Sequence, residues 1–572
     1  MRGKPFRLLL LLVTLLLALG LAGCGGDDEP EESSGDTGAT QTEEGEGQAG
    51  GTLVFAGAAD PVALDGALVS DGESLRVVQQ IFETLVALEP GGTEPVPGLA
   101  ESWEANEDGT EWTFAIRQDV TFHDGEPLNA EAVCFNFDRW YNFAGPLQNP
   151  SASYYWQVVF GGFATKDNPD APDESLYASC EATDEHTAVI NLTKPSATFI
   201  PALAQAAFSI ASPAALTEFE ADAGTVDADG VFQPEGTFGT EHPIGTGPFK
   251  FESWTRGDSL TVVRNDDYWG ETALLDSVIF RPIADNAARL QALQAGDIQG
   301  YDLVEPQDIE TIAGDTNLQV IDRPPFNVAY VGINVGTPPL DDIEVRKALA
   351  HGLDRQSVVD NFYAGRAEVA HQFMPPAVEG YADSVTEYEF DPDMAKQILQ
   401  DAGYTLPVKI DFWYPTDVSR PYMPDPKRNF EAFAASLNES GFQVVPHSAP
   451  WSPDYLGQAN EGKLPVFLLG WTGDYGDADN FVGTFFQTPG AQFGTIKAPN
   501  QEIHDLLAAA EAETDQETRI GMYQEANQLI SDWIPGVPYA HSSPALAFAA
   551  NVQGFQPSPT TNESFATVSF VE

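Results

Sequence analysis

Cysteine, methionine and histidine are scarce: 572 residues contain three, five and eight of them. The histidines show no His-Glu-x-x-His or related ligand spacing, and so few cysteines make no zinc site unaided, so no metal or cofactor is expected. Basic residues are also few, 26 against 87 acidic, for a formal net charge of −61. Such a surface repels nucleic acid and anionic membrane, which excludes both as partners. The plain reading of the acidity is hydration in a saline medium. After Thr52 no apolar run reaches the roughly 18–20 residues that span a bilayer. No Gly-x-Ser-x-Gly elbow, metalloprotease helix or phosphate-cradling loop is present. Gly245-Thr246-Gly247-Pro248 lacks the lysine of a nucleotide loop and reads as a turn. His123, His186 and His541 read as polar structural groups, so no enzyme is expected, with a peptidase as the competing class.

The chain does carry an export signal. Arg2, Lys4 and Arg7 precede an apolar core from Leu8 to Leu19, too short for a permanent membrane helix. Leu21-Ala22-Gly23-Cys24 resembles a bacterial lipobox, so 1–23 is expected to be a lipoprotein signal peptide and Cys24 the lipidated first residue. Residues 24–51 are almost all Gly, Asp, Glu, Ser, Thr and Gln, without an aromatic or basic residue. Such a stretch cannot bury enough apolar surface to offset its ordering entropy, and reads as a disordered acidic tether. The mature protein is therefore expected outside the cytoplasmic membrane, on its periplasmic side or at the cell surface, held by lipid alone. In that oxidising setting a disulfide between Cys134 and Cys180 is expected over two free thiols.

Beyond the tether, strand and helix patterns alternate. Thr52 to Phe55 reads as a strand and Ser74 to Leu88 as a helix. Trp112, Phe114 and Ile116 alternate with polar neighbours, as on a half-buried strand. Leu275 to Ile283 reads as a strand, followed by a helix from Asp285 closed at Gly296. Val328 to Val335 and Asp342 to Leu353 repeat that order. Asp391-Pro392 supplies a cap and a first-turn proline for a helix ended by Gly403. Val408 to Tyr414, Phe442 to Pro446 and Pro465 to Trp471 are further strands. The alternation predicts an α/β protein with largely parallel sheets.

Two segments stand out chemically. Gly470-Trp471-Thr472-Gly473-Asp474-Tyr475-Gly476-Asp477-Ala478-Asp479-Asn480-Phe481 leaves an apolar strand at its C-terminal end, where open α/β sheets bind ligands. Its three aspartates do not meet the EF-hand spacing of a calcium loop. Arg420-Pro421-Tyr422-Met423-Pro424 presents an arginine, the better cation for carboxylate capture, on a proline-stiffened turn. By itself that arginine reads more readily as surface charge balance.

Further segments run in order along the chain: Pro97-Gly98-Leu99-Ala100-Glu101-Ser102-Trp103, Trp112-Thr113-Phe114, Phe122-His123-Asp124-Gly125, Pro243 to Phe249, Asp267-Tyr268-Trp269-Gly270, Asp341 to Leu349 and Tyr539-Ala540-His541-Ser542. Together they resemble the extracytoplasmic solute-binding proteins, family 5, of peptide ABC importers, and the branch of that family that binds dipeptides. The resemblance implies a two-lobed periplasmic-binding-protein-like fold of class II, with an extra domain in the first lobe. The expected division is 52–86, 187–284 and 534–572 for the core of lobe 1, 87–186 for the extra domain and 285–533 for lobe 2. The hinge is then expected near Ile283–Asp285 and Trp533–Pro535, and the Gly245-Thr246-Gly247-Pro248 turn at the lobe junction.

The resemblance also implies site roles. Asp474 matches the aspartate that holds a ligand's α-amino group, and Arg420 the arginine that holds its α-carboxylate. Trp471 and Tyr422 lie in the same motifs and are expected to line the pocket. The pattern is broken at Tyr475 and Ala478, which bears on side-chain preference. Two fixed charges measure length, since one added residue moves the carboxylate by roughly 3.3–3.6 Å, beyond hydrogen-bond tolerance. The expectation is a monomeric receptor that closes on a short peptide and delivers it to ABC permease subunits. Alternatives are the same fold holding a longer peptide, a nickel chelate, haem or an oligosaccharide, or a chemosensory role.

Overall fold

The computed structural model describes residues 48–571 except 150–151, 170, 227–231 and 452–454. The signal peptide, Cys24 and most of the tether lie outside the described residues. The fold begins before Thr52. Gln48 N donates to Phe570 O (2.9 Å) and Gly50 N to Leu274 O (2.7 Å). Gly51 N donates to Asp276 Oδ2 (2.9 Å). Gly50 and Gly51 have φ of +105° and +91°, a region glycine enters without penalty. The expected tether thus ends at least four residues early.

Two mixed sheets organise the chain. The first has seven strands in the order Phe249–Thr255, Ser259–Arg264, Ser277–Pro282, Thr52–Gly57, Gly300–Tyr301, Ala545–Ala549, Leu318–Asp322. The second has six, in the order Ala367–Glu368, Gly536–Ser542, Asn327–Ile333, Val466–Thr472, Val408–Thr416, Phe442–Pro450. A four-stranded antiparallel sheet, Ala100–Ala105, Glu111–Ile116, Thr187–Leu192 and Tyr177–Asp184, belongs to the extra domain.

The expectation of largely parallel sheets does not hold. Thr52–Gly57 runs parallel to both neighbours, and Val408–Thr416 parallel to both of its own. The remaining pairings in the two sheets are antiparallel. That antiparallel pairing joins consecutive strands, as in Phe249–Thr255 with Ser259–Arg264, or strands far apart in the chain, which a local βα pattern does not register.

The strand pairing also moves the expected boundaries. Gly300–Tyr301 and Leu318–Asp322 extend the first sheet, and Gly536–Ser542 pairs within the second. The chain therefore crosses between sheets at 323–326 and 543–544, rather than near Ile283–Asp285 and Trp533–Pro535. Thr187–Leu192 is the central partner of the extra domain's sheet, so that domain runs past residue 186.

Local rules explain several elements. The helix Pro392–Asp401 is capped by Asp391, which accepts from Met394 N (2.9 Å). The helix Asn286–Ala295 is capped by Asp285 and closed by Gly296 in the left-handed conformation. The helix expected from Ser74 to Leu88 stops at Ile81. Gly247 N donates to the Ile81 carbonyl (2.9 Å), and Val86–Leu88 pairs instead with Pro95–Pro97.

Several of the ordered motifs prove to be joinery inside the first lobe. Just past that helix, half-buried Glu83 accepts from Thr246 Oγ1 (2.7 Å), Tyr268 OH (2.7 Å) and Trp269 Nε1 (2.9 Å). His123 N donates to Gly245 O (2.9 Å), and its Nε2 faces Gly247 O (3.0 Å). Burial holds the His123 imidazole down at about 4, so it stays neutral. The turn at Gly245-Thr246-Gly247-Pro248 therefore sits within the first lobe, and not at the lobe junction.

The crossings are tied together by polar contacts. Arg323 N donates to Pro544 O (2.8 Å). Asn327 Nδ2 donates to Ser542 O (2.9 Å), and Ser542 N returns a bond to Asn327 Oδ1 (3.1 Å). His541 Nδ1 contacts Asn327 O (2.7 Å), and burial lowers its pKa to about 4. Beside the first crossing lies a buried charge cluster. Arg323 pairs with Asp302 (3.1 Å) and Glu563 (2.8 Å), and Arg76 pairs with the same two carboxylates.

Candidate functional site

Asp474 and Arg420 emerge at the same end of the second sheet. Asp474 follows Val466–Thr472 and Arg420 follows Val408–Thr416, and these two strands lie side by side and parallel. Both loops therefore open from C-terminal strand ends, where the sheet leaves a crevice.

Asp474 is fixed by Asn480 on its own loop. Its backbone N donates to Asn480 Oδ1 (2.7 Å), and Asn480 Nδ2 donates to Asp474 Oδ2 (3.2 Å). Trp471 Nε1 shares the same Asn480 oxygen (3.3 Å), and the indole meets Phe485 edge-on at 5.7 Å. Gly473 admits Phe326 and Phe481 where a Cβ would sit 2.3 and 2.6 Å from their rings. The other carboxylate oxygen, Oδ1, accepts from Tyr155 OH (3.1 Å), a residue of the extra domain.

Tyr155 is held by the packing of its own helix, Tyr154–Val159. Trp156 is 2% exposed, stacks on Phe160 at 4.5 Å and donates to Gly162 O (3.1 Å). Burying two such aromatic side chains contributes about 1.5–3 kcal/mol each. With Trp156 anchored, the neighbouring Tyr155 packs along the same core and carries its hydroxyl to Asp474. The two halves of the chain also touch further along, where Lys194 pairs with Glu511 (3.0 Å) and Ala197 N donates to Glu511 O (3.0 Å).

The three aspartates of the loop have separate partners. Asp477 caps the turn Ala478–Asn480 and pairs with Arg519 (2.6 Å). Asp479 accepts from Tyr523 OH (3.3 Å). Burial, with Asp477 and Glu511 adding repulsion, pushes Asp479 up to about 7. Burial also lifts Asp474 to about 6, against the opposing hydrogen bonds from Asn480 and Tyr155. Among the described residues Asp474 has no cationic partner within ion-pair distance. Tyr475 and Ala478 are 4% and 2% exposed, which places both in the packing under the loop.

Arg420 sits on a tight turn in which Arg420 N donates to Met423 O (3.1 Å) and Met423 N to Arg420 O (3.0 Å). Two bonds from elsewhere pin this turn. Ser542 Oγ donates to Pro421 O (2.6 Å), and Tyr363 OH donates to Tyr422 O (2.8 Å). The Tyr422 ring is 6% exposed and covers Gly470, where a Cβ would lie 2.3 Å from it. Tyr422 thus packs beneath the site more than it faces into it. Burial pushes its hydroxyl up to about 12, with Arg420 pulling the other way.

The Arg420 guanidinium is the informative group. Among the described arginines it alone makes neither an ion pair nor a hydrogen bond through its guanidinium, and its buried Nε has no partner. With more than three acids for every base in the chain, an arginine left without a carboxylate is unusual. The Trp451 ring lies 4.2 Å from the guanidinium carbon. Arg420 lines a recess with Leu303 and Pro306, which follow the first-sheet strand Gly300–Tyr301, and with Tyr363, Ser542 and Pro544.

Tyr154, Tyr155, Asn480 and Trp451 received no role from sequence reasoning. Asn480 closes the quoted loop six residues after Asp474, a local spacing that signals a side-chain clamp. The other three offer no such signal, because they reach the site only through tertiary packing. Cys134 and Cys180 lie in the extra domain and form a disulfide between its helix Ala130–Tyr141 and the strand Tyr177–Asp184. No helix among the described residues is long and apolar enough to cross a membrane.

A two-lobed body with opposite, uncompensated charges at one sheet end has the form of a solute-binding protein. Residues 94–493 match the model of the bacterial extracellular solute-binding proteins, family 5 Middle, and the chain belongs to that family. It is 31% identical to the dipeptide-binding protein of Escherichia coli (strain K12) over 527 residues, 91% of this chain and 94% of that protein. It is also 31% identical to heme-binding protein A of Haemophilus influenzae over 567 residues, 97% of this chain and 98% of that protein. Among solved structures it is similar to the ABC transporter-associated periplasmic binding protein DppA of Helicobacter pylori in complex with the peptide STSA. That likeness has a TM-score of 0.76 at 27% identity, covering 92% of this chain and 99% of the other.

Proposed function

We propose that this chain is the lipid-anchored receptor of an ABC importer, and that it captures dipeptides, with other short peptides as weaker ligands, by closing its lobes. It binds and releases its ligand unchanged, as a monomer, and presents the closed form to the permease. Closure turns about the crossings at 323–326 and 543–544. The observation that carries the reading is the pair of uncompensated charges, Arg420 and Asp474, at one end of the second sheet. A zwitterionic peptide supplies the missing partner to each. Inside a shut site an unpaired terminus costs several kcal/mol, so both ends must be met together. Trp471 and Tyr155, both beside the Asp474 loop, give a mostly apolar wall that tolerates varied side chains.

Haem is the second reading, favoured by the equal identity to the Haemophilus relative. Calorimetry with Ala-Ala and with tetra-alanine, beside a Soret titration with haemin, decides among them. Dipeptide capture predicts that Ala-Ala binds at least tenfold more tightly than tetra-alanine and that haemin leaves the Soret band unshifted. Equal peptide affinities refute the length ruler, and saturable haemin binding with no peptide binding refutes the proposal.

A further inference from the structure

Trp451 follows the strand Phe442–Pro450 and lies over the Arg420 guanidinium at 4.2 Å. Its own position is braced. The indole is stacked on Tyr455 at 6.2 Å and 22°, and Tyr455 OH donates to Leu468 O (2.7 Å) and Trp413 O (3.2 Å). The stack is thereby tied to the strand that leads to Asp474. On its other side, Arg420 belongs to a turn fixed by Ser542 and Tyr363.

A guanidinium is flat, with donors around its edge and none on its faces. Stacking an indole on one face satisfies the cation by ring electrostatics while consuming no N–H. A carboxylate neighbour in Trp451's place would occupy the donor fork and neutralise the charge. In this acidic chain an aromatic partner is therefore the arrangement that both orients Arg420 and keeps its fork open.

We infer that Trp451 is a positioning residue that sets carboxylate specificity: its ring holds the Arg420 guanidinium by one face so that the N–H edge meets the ligand's free carboxylate. This rests on the dipeptide reading. It predicts that Trp451 matters for a ligand ending in a carboxylate and little for the same ligand ending in an amide.

The test is calorimetry of Ala-Ala and Ala-Ala amide against wild type, Trp451→Leu and Trp451→Phe, with thermal melts to confirm folding. Wild type should prefer the acid over the amide. Trp451→Leu should lose about five- to tenfold in affinity for Ala-Ala and less than twofold for the amide, while Trp451→Phe recovers most of the preference. If both ligands weaken equally in Trp451→Leu, the residue is merely structural and the inference falls. If wild type binds neither peptide, the dipeptide reading fails first and this inference with it. Should Trp451→Leu fail to fold, Trp451→Phe and Trp451→Tyr carry the comparison: an acid-over-amide preference below half the wild-type ratio in both overturns the inference, and one retained in both supports it.

Discussion

Peptide binding should weaken on mild acidification, through one carboxylate. Burial holds Asp474 at about 6 in the ligand-free site, above the usual carboxylate range. A bound ammonium favours the ionised form and pulls that value down. A raised value in the free state and a lowered one in the complex mean that binding expels a proton as pH falls through 6, so affinity drops. If only ionised Asp474 binds, the free-state value near 6 makes affinity at pH 5 about tenfold weaker than at pH 7. The peptide contributes little to this slope, since its amine near 8 and its carboxyl near 3.5 keep their charges across that range. His123 and His541, both lowered to about 4, also stay neutral there. Asp479, at about 7, titrates nearby, so Asp474→Asn is the needed control. That variant should bind Ala-Ala at least tenfold more weakly at pH 7, the cost of a lost charged hydrogen bond, and show a flat profile from pH 5 to 7. Calorimetry in two buffers of different ionisation enthalpy reads the affinity and the proton count together. A wild-type affinity that is constant or rises below pH 6, or an Asp474→Asn variant that keeps the slope, refutes the argument.

Arg323→Ala should destabilise the fold by about 3–5 kcal/mol in urea denaturation, because it strands the buried Asp302 and Glu563 beside Arg76 alone. A loss under about 1 kcal/mol would show that the cluster is not under tension from unpaired charge. Although burial works against it, Arg323 and Arg76 hold Asp302 well below the usual carboxylate range. That stability is present above pH 4 and fades as the medium acidifies further, so wild type should show a steeper acid limb than Arg323→Ala in a pH-dependent melt. Replacing Cys134 and Cys180 together by serine opens a loop of sequence separation 46, worth about 4 kcal/mol in the chain-entropy account. An unchanged melting temperature in that double variant would contradict it.

Local chemistry made many elements legible before any coordinates. Asp391-Pro392 with Gly403, and Asp285 with Gly296, mark helix ends because caps act within one turn. The strand leading to Asp474 was equally readable, since its apolar run is bounded by glycines. Sheet direction was not. Val466–Thr472 looks the same whether its neighbours run with it or against it, and it has one of each. The crossings were misplaced for a related reason: Leu318–Asp322 carries no mark of the sheet it joins. The ordered motifs were recognisable, yet their work differs from ligand contact. Thr246, Tyr268 and Trp269 converge on Glu83, and His541 and Ser542 brace a crossing. In the candidate site, Asp474 and Arg420 were legible through their motifs. Tyr155, 319 residues from Asp474, and Trp451 were not, because proximity created by folding leaves no spacing to read.

The most direct measurement is a crystal structure of the mature chain grown with Ala-Ala. The account predicts one peptide between the lobes, its ammonium on the Asp474 carboxylate and its carboxylate on the Arg420 fork, with Trp451 still stacked behind. A peptide bound in reverse, or held by groups other than these two, would contradict it.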